Sequence, residues 1–203
     1  RRCRCEVRPD FRLRSRRPLG QPRRQLAEAR LALRSGSNLH KVLETLPEDL
    51  RSDPSLNMEK VAYLRQNGRE AETLALANAL PPSPSYSEAS DRMWRERRLI
   101  FNLAVRAGDY NSAYKAVTGH GMTSGTNYVE AEFIAGWLAL TKLKMPSRAD
   151  DHFARIQASG LSPITLSRAF YWRGRAAEAM GDPVAAATFY GDGAQYITTF
   201  YGQ

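Results

Sequence analysis

Ser167-Arg168-Ala169-Phe170-Tyr171-Trp172-Arg173-Gly174-Arg175-Ala176-Ala177-Glu178-Ala179-Met180-Gly181-Asp182 decides the fold class. Ser162-Pro163 before it places an oxygen-bearing cap ahead of a proline at the first helical position, where the missing N–H costs nothing. Aromatic and small residues then recur at helical spacing until Gly181, which allows the left-handed turn that stops a helix. Asp182-Pro183 restarts a second, alanine-rich helix at once, so the stretch is a helix hairpin.

The same grammar extends through the chain. Asp53-Pro54 is a third cap-proline start, Asp109 after Gly108 is a further cap, and Asn127 with Glu130 three residues on reads as a capping box. Helices are expected over about 25–34, 37–46, 54–66, 69–80, 88–106, 110–118, 128–143, 147–158, 163–180 and 183–197. No run of alternating β-branched residues lies between turns. Gly68 precedes Ala71, Gly108 precedes Ala113 and Gly181 precedes Ala185 and Ala186, a repeated unit in which a glycine ends one helix and small alanines admit the returning one. This predicts an all-α fold, a right-handed α-solenoid of helix hairpins that is tetratricopeptide-like without that repeat's strict period. Two faces must then be apolar on an inner helix. In 128–143, Val129, Phe133, Trp137 and Leu140 form one stripe, and Ala131, Ile134 and Leu138 a second. Gly136 between them costs about 1 kcal/mol of helix propensity, which predicts close backbone approach by a crossing helix. Pro81-Pro82-Ser83-Pro84-Ser85 is the one clear break, an elbow expected over 81–86.

Charge separates the chain into a tail and a body. Ten Arg against Glu6 and Asp10 occupy residues 1–24, whereas residues 25–203 hold 20 basic and 19 acidic side chains. The strong positive charge therefore describes an Arg-rich tail expected to be disordered, not a basic face of the folded body at 25–203. That tail lacks interleaved aromatics, so no nucleic-acid binding is expected. Cys3 and Cys5 lie in it without a second pair or a nearby His, so no zinc site is expected. No apolar window is long enough for a membrane span, and the interrupted Arg-rich start provides no export signal.

Other candidate chemistry reads as structural. Glu130 is assigned to the capping box and Glu132 to an ordinary helical carboxylate, so neither is expected to be a catalytic acid. His40, His120 and His152 lie on separate elements, so no metal site and no cofactor are expected. Thr118-Gly119-His120-Gly121 lacks the Lys-Ser/Thr of a phosphate loop and reads as a connection. Trp94, Trp137, Trp172, Tyr171, Tyr190 and Tyr201 read mainly as packing between helices. Among them Trp137, Tyr171, Trp172 and Tyr201 are the candidates for glycan or inter-helix contact.

From Leu103 to Gln203 the order of rare residues resembles the superhelical region of the soluble lytic murein transglycosylases. The resemblance rests on Gly108-Asp109-Tyr110, Ala113-Tyr114, His120-Gly121, Gly125, Tyr128, the run Glu130 to Leu140, Ala149, His152-Phe153, Pro163-Ile164, Ala169 to Asp182, and Thr198-Thr199-Phe200-Tyr201-Gly202-Gln203. It implies a periplasmic scaffold acting on peptidoglycan, in a family that cleaves between N-acetylmuramic acid and N-acetylglucosamine to leave a 1,6-anhydro product. The family's Glu-Ser and Gly-Leu-Met-Gln motifs, carried by a lysozyme-like domain, occur nowhere in this sequence. This chain is therefore expected to be a non-catalytic segment, truncated before that domain, with a start that is not the family's own. A freestanding helical-repeat adaptor for a protein partner is the alternative expectation.

Overall fold

The computed structural model describes residues 20–83, 90–160 and 162–203, so most of the Arg-rich tail and half of the expected elbow, 84–86, lie outside the described residues. The secondary structure of the described residues is all-helical. Eleven α-helices are found among the described residues: α1 (Gln21–Arg34), α2 (Leu39–Glu44), α3 (Glu48–Arg51), α4 (Pro54–Gln66), α5 (Glu70–Asn78), α6 (Ser90–Arg106), α7 (Tyr110–Thr118), α8 (Thr126–Thr141), α9 (Pro146–Ser159), α10 (Pro163–Met180) and α11 (Pro183–Ala194). A 3-10 turn, Phe200–Gly202, follows. No helix among the described residues is long and apolar enough to cross a membrane.

Two compact units divide within α4, after Leu56. In the first, α1 packs on α2, and Ala29, Leu33, Val42, Leu46 and Leu56 are buried. α1 begins at Gln21, inside the segment expected to be tail, because Pro22 sits in its first turn. α3 was not anticipated; its four residues carry no periodic signal.

In the second unit each helix from α6 to α11 packs against its neighbour in the chain, and α5 packs on both α6 and α7. The expected caps form: Asp109 accepts from Ser112 N–H at 3.0 Å, Ser162 from Thr165 N–H at 3.2 Å and Asp182 from Ala185 N–H at 2.9 Å. Gly108 and Gly181 take φ of +74° and +77°, the left-handed turns the hairpins require. Ala113 and Ala186 are buried as expected, but Ala71 is exposed.

α8 buries two faces, as its sequence predicts. Ala131, Ala135 and Leu138, with Ile134, join Trp94 and Ala104 of α6 and Ala113 and Val117 of α7. Val129 and Ala139, with Phe133 and Leu140, join Ala149, Phe153 and Ile156 of α9 and Ala169 and Ala176 of α10. Trp137 belongs to the first group, not to the Phe133 stripe as the spacing suggested. The close approach at Gly136 comes from a side chain, not from backbone: a Cβ there would lie 2.6 Å from Cε1 of Phe153. The closing stretch is pinned where the buried hydroxyls of Thr199 and Ser167 meet at 2.8 Å.

The capping box does not form. α8 starts at Thr126, one residue before the proposed cap, and Asn127 instead donates its side-chain N–H to Asp91 Oδ1 at 2.9 Å. Glu130 accepts from Trp94 Nε1 at 3.3 Å and pairs with Arg98 at 3.4 Å. Tertiary partners outcompete the local cap because they offer Glu130 an indole N–H and a guanidinium charge, which a backbone N–H at the helix start does not match.

Candidate functional site

Glu132 is the centre of a buried polar cluster that the sequence did not reveal. It lies on the apolar helix α8 with 5 % of its surface exposed. A carboxylate there must be compensated or neutralised, and three side chains from two other segments compensate it. His120, in the α7–α8 connection, donates from Nε2 to Glu132 Oε1 at 3.1 Å. His152 and Arg155 of α9 donate to Oε2, from Nδ1 at 2.6 Å and from Nη1 at 3.0 Å. His120 and His152 do lie on separate elements, but both reach Glu132, which is therefore not the ordinary helical carboxylate its sequence position suggests. His40 remains separate, exposed beside Glu44 at 3.1 Å.

The hydrogen-bond partners assign the tautomers. Met122 N–H donates to His120 Nδ1 at 2.8 Å, so in the neutral ring the proton sits on Nε2 and faces Glu132. At His152 the carboxylate can only accept, so Nδ1 carries a proton, and in the neutral ring Nε2 accepts from the Tyr114 hydroxyl at 2.8 Å. Arg155 Nη1 lies 2.9 Å from His152 Nδ1 because both aim at the same oxygen. Trp94 and Tyr128 meet the His120 ring edge-on, at 6.4 and 5.7 Å between centroids.

Burial acting alone would raise the Glu132 pKa. The hydrogen bonds from His120, His152 and Arg155 outweigh it and hold the carboxyl well below the usual carboxylate range. Burial raises the pKa of the half-buried Tyr114 phenol, although nearby Arg148 opposes the shift. Glu132 is consequently held as an anion, and Tyr114, His152 and Glu132 form a hydrogen-bonded line from a phenol to a buried charge.

This line forms the wall of an open pocket of about 570 Å³ that is also bordered by Pro82, Thr118, Gly121, Met122, Arg148 and Asp151. One edge is held by Arg97 of α6, only 2 % exposed. Its guanidinium donates to Pro81 O at 2.9 Å, Ser83 Oγ at 2.9 Å and Ala116 O at 3.3 Å, and Ser83 N–H donates to Gly119 O at 2.8 Å. Burial pulls the Arg97 pKa down to about 10. Arg97→Met is expected to cost about 2–3 kcal/mol in urea unfolding, because charge-assisted bonds to two carbonyls are lost. A cost under about 0.5 kcal/mol would mean that this clamp does not hold the segment.

The four aromatic candidates do not converge on the pocket. Trp137 packs on the α6–α7 side under Lys142, whose Nζ is 5.7 Å from the ring. Trp172 lies between Phe133 and Phe153, each 5.8 Å away. Tyr171 stands 5.4 Å from Tyr201 and 5.9 Å from Tyr190. Among the described residues, no group of three or more His, Cys, Asp or Glu is arranged to hold a metal ion.

The missed site left one trace in the sequence. Arg148, Asp151, His152 and Arg155 stand at i, i+3, i+4 and i+7, a polar stripe down one face of α9 beside buried Ala149, Phe153 and Ile156. No family model, curated protein or solved structure matches the chain.

Proposed function

We propose that the chain is a superhelical scaffold segment of a soluble lytic murein transglycosylase, a right-handed stack of helix hairpins that positions a catalytic domain on periplasmic peptidoglycan and does not itself cleave glycan. The sequence from Leu103 to Gln203 supports the family reading, and the neighbour-to-neighbour packing of α6 to α11 is what a hairpin stack requires. The state of Glu132 carries the non-catalytic part. Non-hydrolytic cleavage needs a carboxyl group that arrives protonated at the glycosidic oxygen. A carboxylate bound by two imidazole N–H groups and a guanidinium arrives ionised. Purified protein incubated with sacculi is expected to pellet with them and to release no anhydro-muropeptides by chromatography of the soluble fraction. Release that disappears in Glu132→Gln would refute the scaffold reading.

A second reading, a helical-repeat adaptor for another protein, is favoured by the apolar side chains that the last hairpin and turn expose: Ile164, Val184, Ile197 and Phe200, the last 85 % exposed. Retention by a discrete protein partner, without pelleting on sacculi, would select it.

A further inference from the structure

Two guanidinium groups converge on one imidazole–phenol pair at the pocket wall. Arg155 Nη1 lies 2.9 Å from His152 Nδ1, while Arg148 lines the same pocket as the Tyr114 hydroxyl, itself 2.8 Å from His152 Nε2, and its charge acts on that phenol. Helix α9 makes this possible, because positions 148, 152 and 155 follow one another down a single face. The buried negative charge pairs with Arg155, whereas the bonds to it described above include none from Arg148. Both oxygens of Glu132 are engaged from inside, and Arg155, half-exposed, lines the pocket together with Arg148. Arg148 is exposed, Arg155 is half-exposed, and Asp151 is the acidic group at the mouth, where its field reaches Arg155.

We propose that this pocket binds a small ligand through a compact oxyanion, a carboxylate or a phosphate, held between Arg148 and Arg155 with the Tyr114 hydroxyl as a third donor. A guanidinium fork matches two oxygens of such a group, and pairs of this kind are the strong ones among protein hydrogen bonds. The pocket, at about 570 Å³, leaves room for several atoms beyond the anion. Binding also has a proton consequence. Tyr114 has one O–H, which now goes to His152 Nε2; turned to the ligand, it leaves that nitrogen without a donor. His152 then takes a proton from solvent at Nε2 and donates it to the phenol oxygen, while Nδ1–H stays on Glu132. The charged and titratable groups that face this exchange are Glu132 from α8, Tyr114 from α7, His120 from the connection, and Arg148, Asp151 and Arg155 from α9. The site stands apart from the scaffold reading and survives its failure.

The test is a titration of ¹⁵N-labelled protein with inorganic phosphate and, separately, with acetate, at matched ionic strength in sodium chloride. His152 ring nitrogens are expected to shift saturably toward the doubly protonated form with at least one of the anions, and the anion that acts identifies which oxyanion the site takes. Arg148→Gln should weaken the apparent affinity about tenfold or more, since it removes a charged fork. Tyr114→Phe should abolish the proton uptake. Arg148 is exposed, so its variant should fold; Arg148→Lys, which keeps the charge and loses the fork, replaces it if the amide spectrum changes. Absence of a saturable response to either anion, the same response to chloride, or an affinity unaltered by the Arg148 variants would overturn the proposal.

Discussion

Glu132→Leu is expected to lower the unfolding free energy by about 3–5 kcal/mol, measured by urea denaturation at neutral pH. The substitution leaves the His120 Nε2 and His152 Nδ1 hydrogens facing a methyl group in a water-poor interior, and each orphaned donor costs about 1–3 kcal/mol. Arg155, half-exposed, recovers water and adds little. Glu132→Gln should cost less, about 1–2 kcal/mol, because His152 can switch tautomer, accept from the amide and donate to Tyr114 instead. His120 lacks that freedom, since Met122 N–H occupies its Nδ1. The acid dependence has a definite sign. The Glu132 pKa is depressed in the folded chain, so its stabilising contribution is complete above the unfolded-state value near pH 4.3 and is lost as pH falls toward the folded value. Wild-type stability should therefore drop more steeply with acid than that of Glu132→Leu. Equal costs for Leu and Gln, or parallel acid curves, would show that the cluster does not hold an ionised carboxylate.

The second large effect is at the α8–α9 crossing. Phe153, fully buried, has its ring against Gly136, and Phe153→Ala should cost about 3–5 kcal/mol by emptying that site. Gly136→Ala gains about 1 kcal/mol of helix propensity but drives its Cβ into the ring, for a net loss of about 1–2 kcal/mol. In the Phe153→Ala background the same Gly136→Ala change should become stabilising, because the atoms it would strike are gone. The coupling across the cycle should reach about 1.5–3 kcal/mol. Additive costs would mean that the glycine serves no packing purpose.

Local order was legible where the determinant is local. Pro54, Pro163 and Pro183 begin their helices at the residues the sequence marks, since a proline's φ and missing N–H are properties of that residue alone. Asn127 misled for the complementary reason: its amide found Asp91, 36 positions away, and no local rule sees that competitor. Trp137 likewise went to the α6–α7 side, because its spacing allows either stripe and only packing chooses.

The candidate site shows the same division. Residue types and helical period settled that the chain is built from helices, that α8 is buried on two sides and that Gly136 meets a close neighbour. Only tertiary structure decided that His120, Glu132 and His152, drawn from a connection and two helices, share one charge, and that Arg148, Tyr114 and Arg155 border one pocket. Helix formation depends on neighbours three and four residues apart, which a sequence displays. A buried charge is compensated by whichever donors the packed helices bring within about 3 Å, and that distance exists only after the chain has folded.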